Sequence, residues 1–463
     1  MSENRQTNTD LSQLPRELVD RLTKPFARFF RIEAAGGAVL LLFTVAALVL
    51  SNSPWAHSFL EFWETPVGLQ FGSLDFSRSL KEWINDALMT LFFFLVALEL
   101  KRELVLGELN NPRMAALSIA AALGGMIIPA TLYLLMQTGQ PGQHGWGTVM
   151  ATDTAFVIGC LVLLGSRIPK SLRVFMLSLA IIDDIGAILV VAIGYSGQIA
   201  WGALTMATFG IVIVRSMALL GIRGFPIYFL LGSFIWLAVD ASGIHATVSG
   251  VILGLMTPAR RWVSDVRLYS ILAQVVAHPD GDYGSADTMD RQTLQVAEVA
   301  ARETLSPVER MQFALLPLVG FVIMPLFAFA NAGLPLSWDN LGNSITLAVF
   351  VSFACGKPIG ILTFSWLAVV SRIATRPPDL SWRLLAGGGM LAGIGFTMAL
   401  FIANLGFDKA LIDSAKMGIF LASVFCALAG IALLRWLPEY GKGAPFGGAN
   451  QVSETKSSAE KSS

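Results

Sequence analysis

The chain has 463 residues, of which 54% are hydrophobic and only 14% are charged, and its formal net charge is +0. Soluble proteins carry about 25% charged residues, so this composition excludes a soluble globular chain and indicates a membrane protein. The balanced charge excludes a global field that would attract nucleic acid. The cysteines Cys160, Cys355 and Cys426 lie in apolar segments without metal-ligand spacing, so we expect neither a disulfide framework nor a cofactor.

Hydropathy divides the chain into a polar start, a long apolar domain and a polar end. Residues 1–33 are predicted to form a cytoplasmic tail and a short surface helix. Runs of about 17–25 apolar residues then predict an all-α polytopic domain of twelve transmembrane helices over residues 34–437. We place the helices at 34–50, 84–100, 114–136, 147–164, 174–194, 199–214, 225–239, 243–258, 312–333, 343–370, 384–404 and 414–434. Residues 438–463 are rich in Gly, Ser, Lys and Glu and are predicted to be a disordered cytoplasmic tail.

The placement of basic residues tests this division, because Lys and Arg gather on the cytoplasmic side of membrane proteins. With twelve spans, nearly all Lys and Arg residues fall on the side that holds both ends of the chain. The other side receives only Arg78, Lys81, Lys409 and Lys416, and Lys357 falls inside a span. We therefore predict that both termini are cytoplasmic.

Two connections are longer than the rest. Residues 51–83 form an external loop, and the alternating pattern over 67–76, with a Gly-Ser pair, predicts a β-hairpin there. Residues 259–310 form a cytoplasmic connection with a polar, acidic centre, which we interpret as a flexible insertion.

Two adjacent aspartates, Asp183 and Asp184, fall inside the apolar run 174–194. Hydrocarbon gives a carboxylate no solvation, so the pair is retained only if water, a cation or a partner charge reaches it. We interpret the pair as the centre of a working site. Structural carboxylates that are capped or paired are the alternative interpretation.

Three other features point to the same site. Asp153, preceded by Thr152, lies in a span that could open locally and so expose backbone carbonyls and dipole ends to an ion. A second span, interrupted by glycines over 387–397, could open in the same way or could simply pack tightly. Lys357 is a buried ammonium that needs a carboxylate partner, and either Asp183 or Asp184 could serve. Such a cluster can exchange protons for a small hard cation such as Na⁺ or Li⁺, which favours oxygen ligands.

Four residues are candidates for a pH response. Glu99, Arg102 and Glu103 end the second span on the cytoplasmic side, where they either anchor the helix at the interface or tune local proton affinity. His245 lies near an external helix start, and it is either a structural histidine or a sensor.

Several long motifs between about residues 30 and 437 resemble those of the NhaA-type sodium/proton antiporters of bacterial inner membranes. They are residues 97–104 (ALELKREL), 151–156 (ATDTAF), 180–187 (AIIDDIGA), 243–247 (GIHAT), 325–333 (PLFAFANAG), 356–358 (GKP) and 395–398 (GFTM). The resemblance implies inverted repeats and two discontinuous helices, the fourth and the eleventh, that cross at mid-membrane. It also implies electrogenic exchange of Na⁺ or Li⁺ for protons and a homodimer joined through the external hairpin.

The resemblance assigns roles to individual residues. It implies that Asp183 and Asp184 bind the transported ion, that Lys357 pairs with Asp183, and that Asp153 and Lys357 compensate the dipole ends of the broken helices. Thr152 matches a broken-helix position.

One region departs from the family pattern. At the start of the ninth span the family has a glutamate and two histidines, whereas this chain has Gln312, Phe313 and Leu316. The departure puts pH sensing in question and leaves the transport residues intact.

An intramembrane aspartyl protease is the alternative from the enzyme class, with Asp153 and Asp184 as its two aspartates. Such proteases carry a Gly-x-Gly-Asp motif, which this sequence lacks, and they have no use for an intramembrane lysine. A cation channel would need a charged ring or a selectivity filter, and the sequence contains no such pattern. An ATP-driven pump would need a nucleotide-binding loop, which the sequence also lacks. The residues therefore favour a secondary transporter over an enzyme.

Overall fold

A computed structural model describes residues 33–71, 74–106, 112–220, 225–259, 295–300, 305–335 and 342–437, together with positions 267, 269–271 and 273. The predicted tail and surface helix at 1–33 lie outside this description except for the last residue, and so does the predicted disordered tail at 438–463. Most of the predicted insertion at 259–310 also lies outside it.

Helices dominate the first half of the described chain. After α1 (Glu33–Ser51) and α2 (Ala56–Trp63) come α3 (Leu80–Trp83), a π-turn (Ile84–Leu88) and α4 (Met89–Leu106). The next elements are α5 (Pro112–Met136), a 3₁₀ helix (Pro141–Met150), α6 (Thr154–Leu164), a 3₁₀ turn (Gly165–Arg167) and α7 (Lys170–Gly194). This half closes with α8 (Trp201–Leu219), α9 (Phe225–Ala241) and α10 (Thr247–Met256).

The second half repeats this helical character. A π-turn (Val319–Ile323) joins α11 (Pro307–Leu318) to α12 (Met324–Asn331), and a second one (Ser352–Gly356) joins α13 (Ser344–Val351) to α14 (Lys357–Val370). The chain then forms α15 (Trp382–Ala392), α16 (Phe396–Gly406) and α17 (Ile412–Trp436). Proline lacks an amide proton and its ring crowds the preceding turn, which accounts for the wide turn that comes just before Pro358.

The region predicted as a hairpin contains two antiparallel strands, β1 (Pro66–Phe71) and β2 (Leu74–Ser79). Their register runs from the pair Pro66 and Ser79 to the pair Phe71 and Leu74. Ser79 also ends the hairpin, because its hydroxyl accepts from the amide of Glu82 while the Glu82 side chain accepts from the Ser79 amide. This capping box starts the helix at Leu80, four residues before the predicted start of the second span.

Seven helices of the described chain are long and apolar enough to cross a membrane, and ten spans result if each of three bent helix pairs counts as one. Many large apolar side chains point outward, including Ile193 at 81% exposure and Leu220 at 77%. Apolar exposure on this scale fits a surface that faces lipid. The protein is an all-α polytopic membrane protein.

Two of the bent pairs have similar bends and breaks of the same length. The 3₁₀ helix Pro141–Met150 meets α6 at 44°, and α15 meets α16 at 48°, each across a three-residue break. The breaks at 151–153 and 393–395 are where the predicted opening of two spans falls.

Close packing of α5 against α14 surrounds the stem of Lys357. A methyl group at Gly360 would collide with the backbone oxygen of Gly124, so the two helices approach at backbone distance. Beside this contact, a methyl group at Gly125 would lie 3.7 Å from the Cε of Lys357. The small residues of α5 therefore make room for the lysine stem.

Candidate ion-binding site

Asp183 lies at the centre of the site, on the buried side of α7. The residue is 1% exposed, and its Oδ2 accepts a hydrogen bond of 2.6 Å from the hydroxyl of Thr152. The same oxygen lies 3.2 Å from the Nζ of Lys357. Its other oxygen, Oδ1, is buried and has no hydrogen-bond partner in the described part of the chain. One side of this carboxylate is therefore satisfied and the other remains available.

Lys357 is the first residue of α14, and none of its side chain is exposed. Besides facing Asp183, its ammonium donates a hydrogen bond of 2.5 Å to the backbone oxygen of Met150. Met150 is the last residue of the 3₁₀ helix, and the final carbonyls of a helix carry partial negative charge. Lys357 thus compensates both a carboxylate and a helix end.

Asp184 is also buried, at 4% exposure, but it has fewer partners than Asp183. Consecutive residues on an α-helix diverge by about 100°, so Asp184 faces a different direction. Its Oδ2 accepts a long hydrogen bond of 3.4 Å from the hydroxyl of Thr154, the first residue of α6. Its Oδ1 is buried without a partner among the described residues.

Asp153 joins the starts of two helices. It caps α6, since its Oδ1 accepts from the amide of Phe156 at 3.3 Å. Its Oδ2 accepts from the amide of Thr397 at 2.9 Å and from the Thr397 hydroxyl, at the start of α16. Helix starts carry partial positive charge, so one carboxylate here stabilises two of them.

The two breaks are also joined through their backbones. The amide of Asp153 donates to the carbonyl of Ile394 at 2.7 Å. The Oγ1 of Thr152 also lies 3.1 Å from the carbonyl oxygen of Ala392, so its single proton is shared between this oxygen and Asp183. The structure therefore brings all five residues predicted for ion binding into one buried cluster: Thr152, Asp153, Asp183, Asp184 and Lys357. With three carboxylates and one ammonium in their charged forms, the cluster attracts cations or protons.

Most of the polar contacts in this cluster are made by oxygen atoms. Carboxylate and hydroxyl oxygens suit small hard cations, whereas no imidazole or thiolate takes part in the contacts above. Among the described residues, no group of three or more His, Cys, Asp or Glu side chains is arranged to hold a metal ion in a cage of its own. Among the described residues of this cluster, Asp183 Oδ1 and Asp184 Oδ1 are the carboxylate oxygens without a hydrogen-bond partner, so they could coordinate a cation.

The candidates for a pH response near the end of α4 form a separate group centred on Gln312. The Gln312 amide donates to Glu99 at 3.3 Å and accepts from Arg102 at 3.0 Å. Arg102 also pairs with Glu103 at 3.0 Å. Phe313 is 64% exposed and turns away from this group. Gln312 therefore replaces the family's glutamate at a position that contacts two candidate residues.

His245 belongs to a third group, which sequence reasoning missed. Arg78 at the end of β2 pairs with both Asp86, at 2.5 Å, and Asp240. The Nε2 of His245 lies 3.8 Å from Asp86, and its Nδ1 contacts the hydroxyl of Thr247 at 2.9 Å. Asp86 lay within a predicted span, so its position could have marked it as an ionisable residue that needs a partner.

The hydrogen bonds that Thr397 donates to Asp153 and that Thr154 donates to Asp184 were also not predicted. Thr154 stands directly next to Asp153, and Thr397 lies within the motif at 395–398, but a hydroxyl carries no signal of its partner in sequence. Their positions at the first turns of α16 and α6 are the only available clue.

A polytopic helical membrane protein with a cluster of buried ionisable residues around two helix breaks has the construction of a membrane transporter. Comparison with known proteins agrees: the family model described as Na+/H+ antiporter 1 matches residues 27–434. The chain therefore belongs to this antiporter family, which confirms the resemblance drawn from its motifs.

Individual relatives match nearly the whole chain. The Na(+)/H(+) antiporter NhaA of Rhizobium meliloti (strain 1021) is 61% identical over 430 residues, which cover 93% of this chain and 98% of that protein. The Na(+)/H(+) antiporter NhaA 2 of Acidiphilium cryptum (strain JF-5) is 60% identical over 427 residues, or 92% and 95% of the two chains. The Na(+)/H(+) antiporter NhaA 2 of Vibrio vulnificus (strain CMCP6) is 56% identical, with 92% and 96% covered.

Proposed function

We propose that this protein is a secondary active antiporter that exports Na⁺ or Li⁺ in exchange for protons. Membership in the antiporter family supports this exchange. The observation that carries the proposal for this chain is the pair of buried carboxylate oxygens, Asp183 Oδ1 and Asp184 Oδ1, that have no partner among the described residues. A buried carboxylate without a partner is costly, and either a proton or a cation removes that cost.

Competition for these two oxygens couples the two ions. A carboxylate that has taken up a proton no longer attracts Na⁺, and a carboxylate that holds Na⁺ excludes the proton. When the site takes up one ion on one side of the membrane, it must therefore release the other ion there. Asp153 and Thr152 keep the helix breaks in place and do not themselves need to change partner during the cycle.

Two carboxylates and a single lysine support electrogenic exchange. The site without Na⁺ can hold two protons, shared among Asp183, Asp184 and Lys357, whereas one monovalent cation replaces them. More than one proton then enters for each Na⁺ that leaves, so net positive charge moves inward. The membrane potential of a respiring cell, negative inside, would drive this cycle in the direction of Na⁺ export.

The proposed architecture has twelve spans. It consists of the seven long helical spans, α1, the two bent pairs described above, and the shorter apolar helices α9 and α10. On this count the two bent pairs cross the membrane in opposite directions, as the halves of an inverted repeat do. Alternating access then consists of movement of the repeats around the point where the two breaks cross, which stays fixed.

The proposed setting is a bacterial inner membrane, with both termini in the cytoplasm because the basic residues gather on that side. The hairpin of β1 and β2 would then be external. We propose that it joins two copies into a homodimer, as the family resemblance implies.

The protease alternative has no support from the family or from the geometry. Its two aspartates would be Asp153 and Asp184, yet both Asp153 oxygens accept hydrogen bonds from helix starts. A catalytic pair needs carboxylates that are free to activate water.

Transport in everted membrane vesicles tests the proposal. Addition of Na⁺ should discharge a preformed proton gradient, reported by a ΔpH-sensitive fluorescent dye, for the wild type and for Asp408→Asn, which changes an exposed carboxylate. The variant Asp184→Asn should give no response at any Na⁺ concentration while remaining in the membrane at wild-type amounts. Exchange by Asp184→Asn at the wild-type rate would contradict the site assignment.

A further inference from the structure

The 3₁₀ helix Pro141–Met150 has to stay at a fixed distance from Lys357, because its last carbonyl is a partner of that lysine. The ammonium of Lys357 contacts two acceptors, the backbone oxygen of Met150 at 2.5 Å and the Oδ2 of Asp183 at 3.2 Å. Runs of 3₁₀ helix longer than three or four residues are uncommon, because their hydrogen bonds have poorer geometry than those of an α-helix. A run of ten residues therefore needs support from neighbouring elements.

The hydroxyl of Tyr195 gives this support from the end of α7. Tyr195 directly follows the last residue of α7. Its hydroxyl accepts a hydrogen bond from the amide of Gly147 at 3.0 Å and donates one to the carbonyl of His144 at 3.0 Å. An amide and a carbonyl three residues apart are the two ends of one 3₁₀ turn. The hydroxyl therefore ties this turn to the helix that carries Asp183 and Asp184.

The ring of Tyr195 is held independently of its hydroxyl. It stacks on Trp146, with ring centroids 6.4 Å apart and 23° between the ring planes. The ring of His144 meets it edge-on, with centroids 5.3 Å apart. A methyl group at Gly147 would lie 2.7 Å from the hydroxyl oxygen, so the bridge requires glycine at this position. Phenylalanine at position 195 would keep the ring and remove only the bridge.

A second tyrosine holds the start of the same 3₁₀ helix. Tyr133, on α5, is completely buried, and its hydroxyl donates to the carbonyl of Gly142 at 2.7 Å. The start of the 3₁₀ helix is therefore tied to α5, which also surrounds the stem of Lys357. The residues that follow the Tyr195 bridge lead directly to Met150.

We propose that Tyr195 is a positioning residue for ion exchange and that its hydroxyl keeps the Met150 carbonyl in contact with Lys357. The inference rests on the antiport proposed above. While this contact persists, part of the ammonium charge is balanced by the carbonyl and not by Asp183. Without the bridge, the ammonium relies on Asp183 alone and competes more strongly with Na⁺ for that carboxylate.

Exchange in everted vesicles over a series of Na⁺ concentrations tests the role of the hydroxyl. For Tyr195→Phe we expect the half-saturating Na⁺ concentration to rise about three- to tenfold, which corresponds to the net contribution of one hydrogen bond. The maximal rate per amount of protein in the membrane should stay close to that of the wild type. Tyr269→Phe removes a hydroxyl from a tyrosine that is 72% exposed, and it should change neither value.

Gly147→Ala is a second, independent variant, because its methyl group displaces the hydroxyl while the tyrosine remains. It should also raise the half-saturating Na⁺ concentration. A merely structural role would lower the maximal rate or the amount of protein at an unchanged half-saturating concentration. That result in both variants, beside normal exchange by the wild type, would overturn this inference and leave the antiport proposal intact. Absence of exchange by the wild type would overturn both.

Discussion

Two neighbouring aspartates in one helix have different surroundings, so substitution of each should have different effects. Asp183 has a lysine and a hydroxyl on one oxygen, whereas Asp184 has only a long hydrogen bond from Thr154. We therefore expect Asp183 to contribute to folding as well as to the proposed ion binding, and Asp184 to contribute mainly to ion binding.

Substitution of each aspartate by asparagine should separate these contributions. Asp183→Asn leaves Lys357 buried without a charged partner, which costs about 3–5 kcal/mol. We expect a marked fall in melting temperature for this variant and a wild-type or higher value for Asp184→Asn, with both inactive. Thermal unfolding of the purified proteins measures the difference. Equal stability of Asp183→Asn and wild type would mean that the ion pair does not stabilise the fold.

The group around Gln312 predicts a change in pH response from a single substitution. Gln312→Glu places a second carboxylate next to Glu99, within reach of Arg102. An added negative charge favours bound protons, so the half-maximal point of the pH–activity curve should move to higher pH, by roughly half a unit. Activity should still fall in acid, because protonated carboxylates do not bind Na⁺.

Two neighbouring substitutions provide the comparison for that experiment. Phe313→His and Leu316→His introduce titratable groups at side chains that are 64% and 48% exposed and that point away from the Gln312 contacts. They should shift the curve less than Gln312→Glu does when dye-based exchange is measured at several Na⁺ concentrations. A curve for Gln312→Glu that superimposes on that of the wild type would exclude a role for this group.

Among the structural elements, the two bent pairs depend on one carboxylate at their meeting point. Asp153 accepts from both the amide and the hydroxyl of Thr397, so the position of α16 relative to α6 depends on this residue. Removal of the hydroxyl leaves part of a buried charge without its donor.

Thr397→Val removes this hydroxyl at nearly constant volume. Loss of a hydrogen bond to a charged group costs about 1.5–3 kcal/mol, and exchange should slow because the helix starts lose their fixed position. Thr397→Ser keeps the hydroxyl and serves as the matched control. Melting temperature and exchange rate should both fall for valine and stay near wild type for serine. Equal behaviour of the two variants would show that the hydroxyl is unimportant.

Hydropathy alone predicted where the helices lie but not their internal irregularities. Each of the twelve predicted apolar runs contains helix in the structure, because long apolar stretches must pair their backbone groups internally. The π-turns and the 3₁₀ form of Pro141–Met150 depend on packing between distant segments, which a local pattern does not contain. The hairpin appears where alternation predicted it, while α2 within the same loop was not predicted.

Some features of the site could likewise be predicted from the sequence, and others could not. Unfavourable burial of charge was enough to single out Asp153, Asp183, Asp184 and Lys357 from sequence. The choice between Asp183 and Asp184 as the partner of Lys357 depended on which face of α7 meets α14, which only the structure and the family resemblance specify. The pairing of Arg78 with Asp240 joins residues 162 positions apart, and nothing local in the sequence indicates it.

For the whole molecule, the distribution of basic residues predicts the orientation in the membrane. Single cysteines introduced into a variant without Cys160, Cys355 and Cys426 can be labelled with a reagent that does not cross membranes. Gln140→Cys should react in intact cells, and Lys170→Cys should react only after the membrane is opened, since both positions are exposed. Strong labelling at position 170 from outside would overturn the topology.

The central claim is that Na⁺ and protons compete for the same aspartate pair. The most direct measurement is a titration of purified protein with Na⁺ in weakly buffered solution. The heat of binding and the protons released are recorded together over a range of pH. We predict that Na⁺ binding releases protons. The apparent affinity for Na⁺ should weaken by about tenfold for each unit by which the pH falls, for each proton displaced. Asp184→Asn should show neither effect. Na⁺ binding by the wild type without proton release, at an affinity that does not change with pH, would contradict the account.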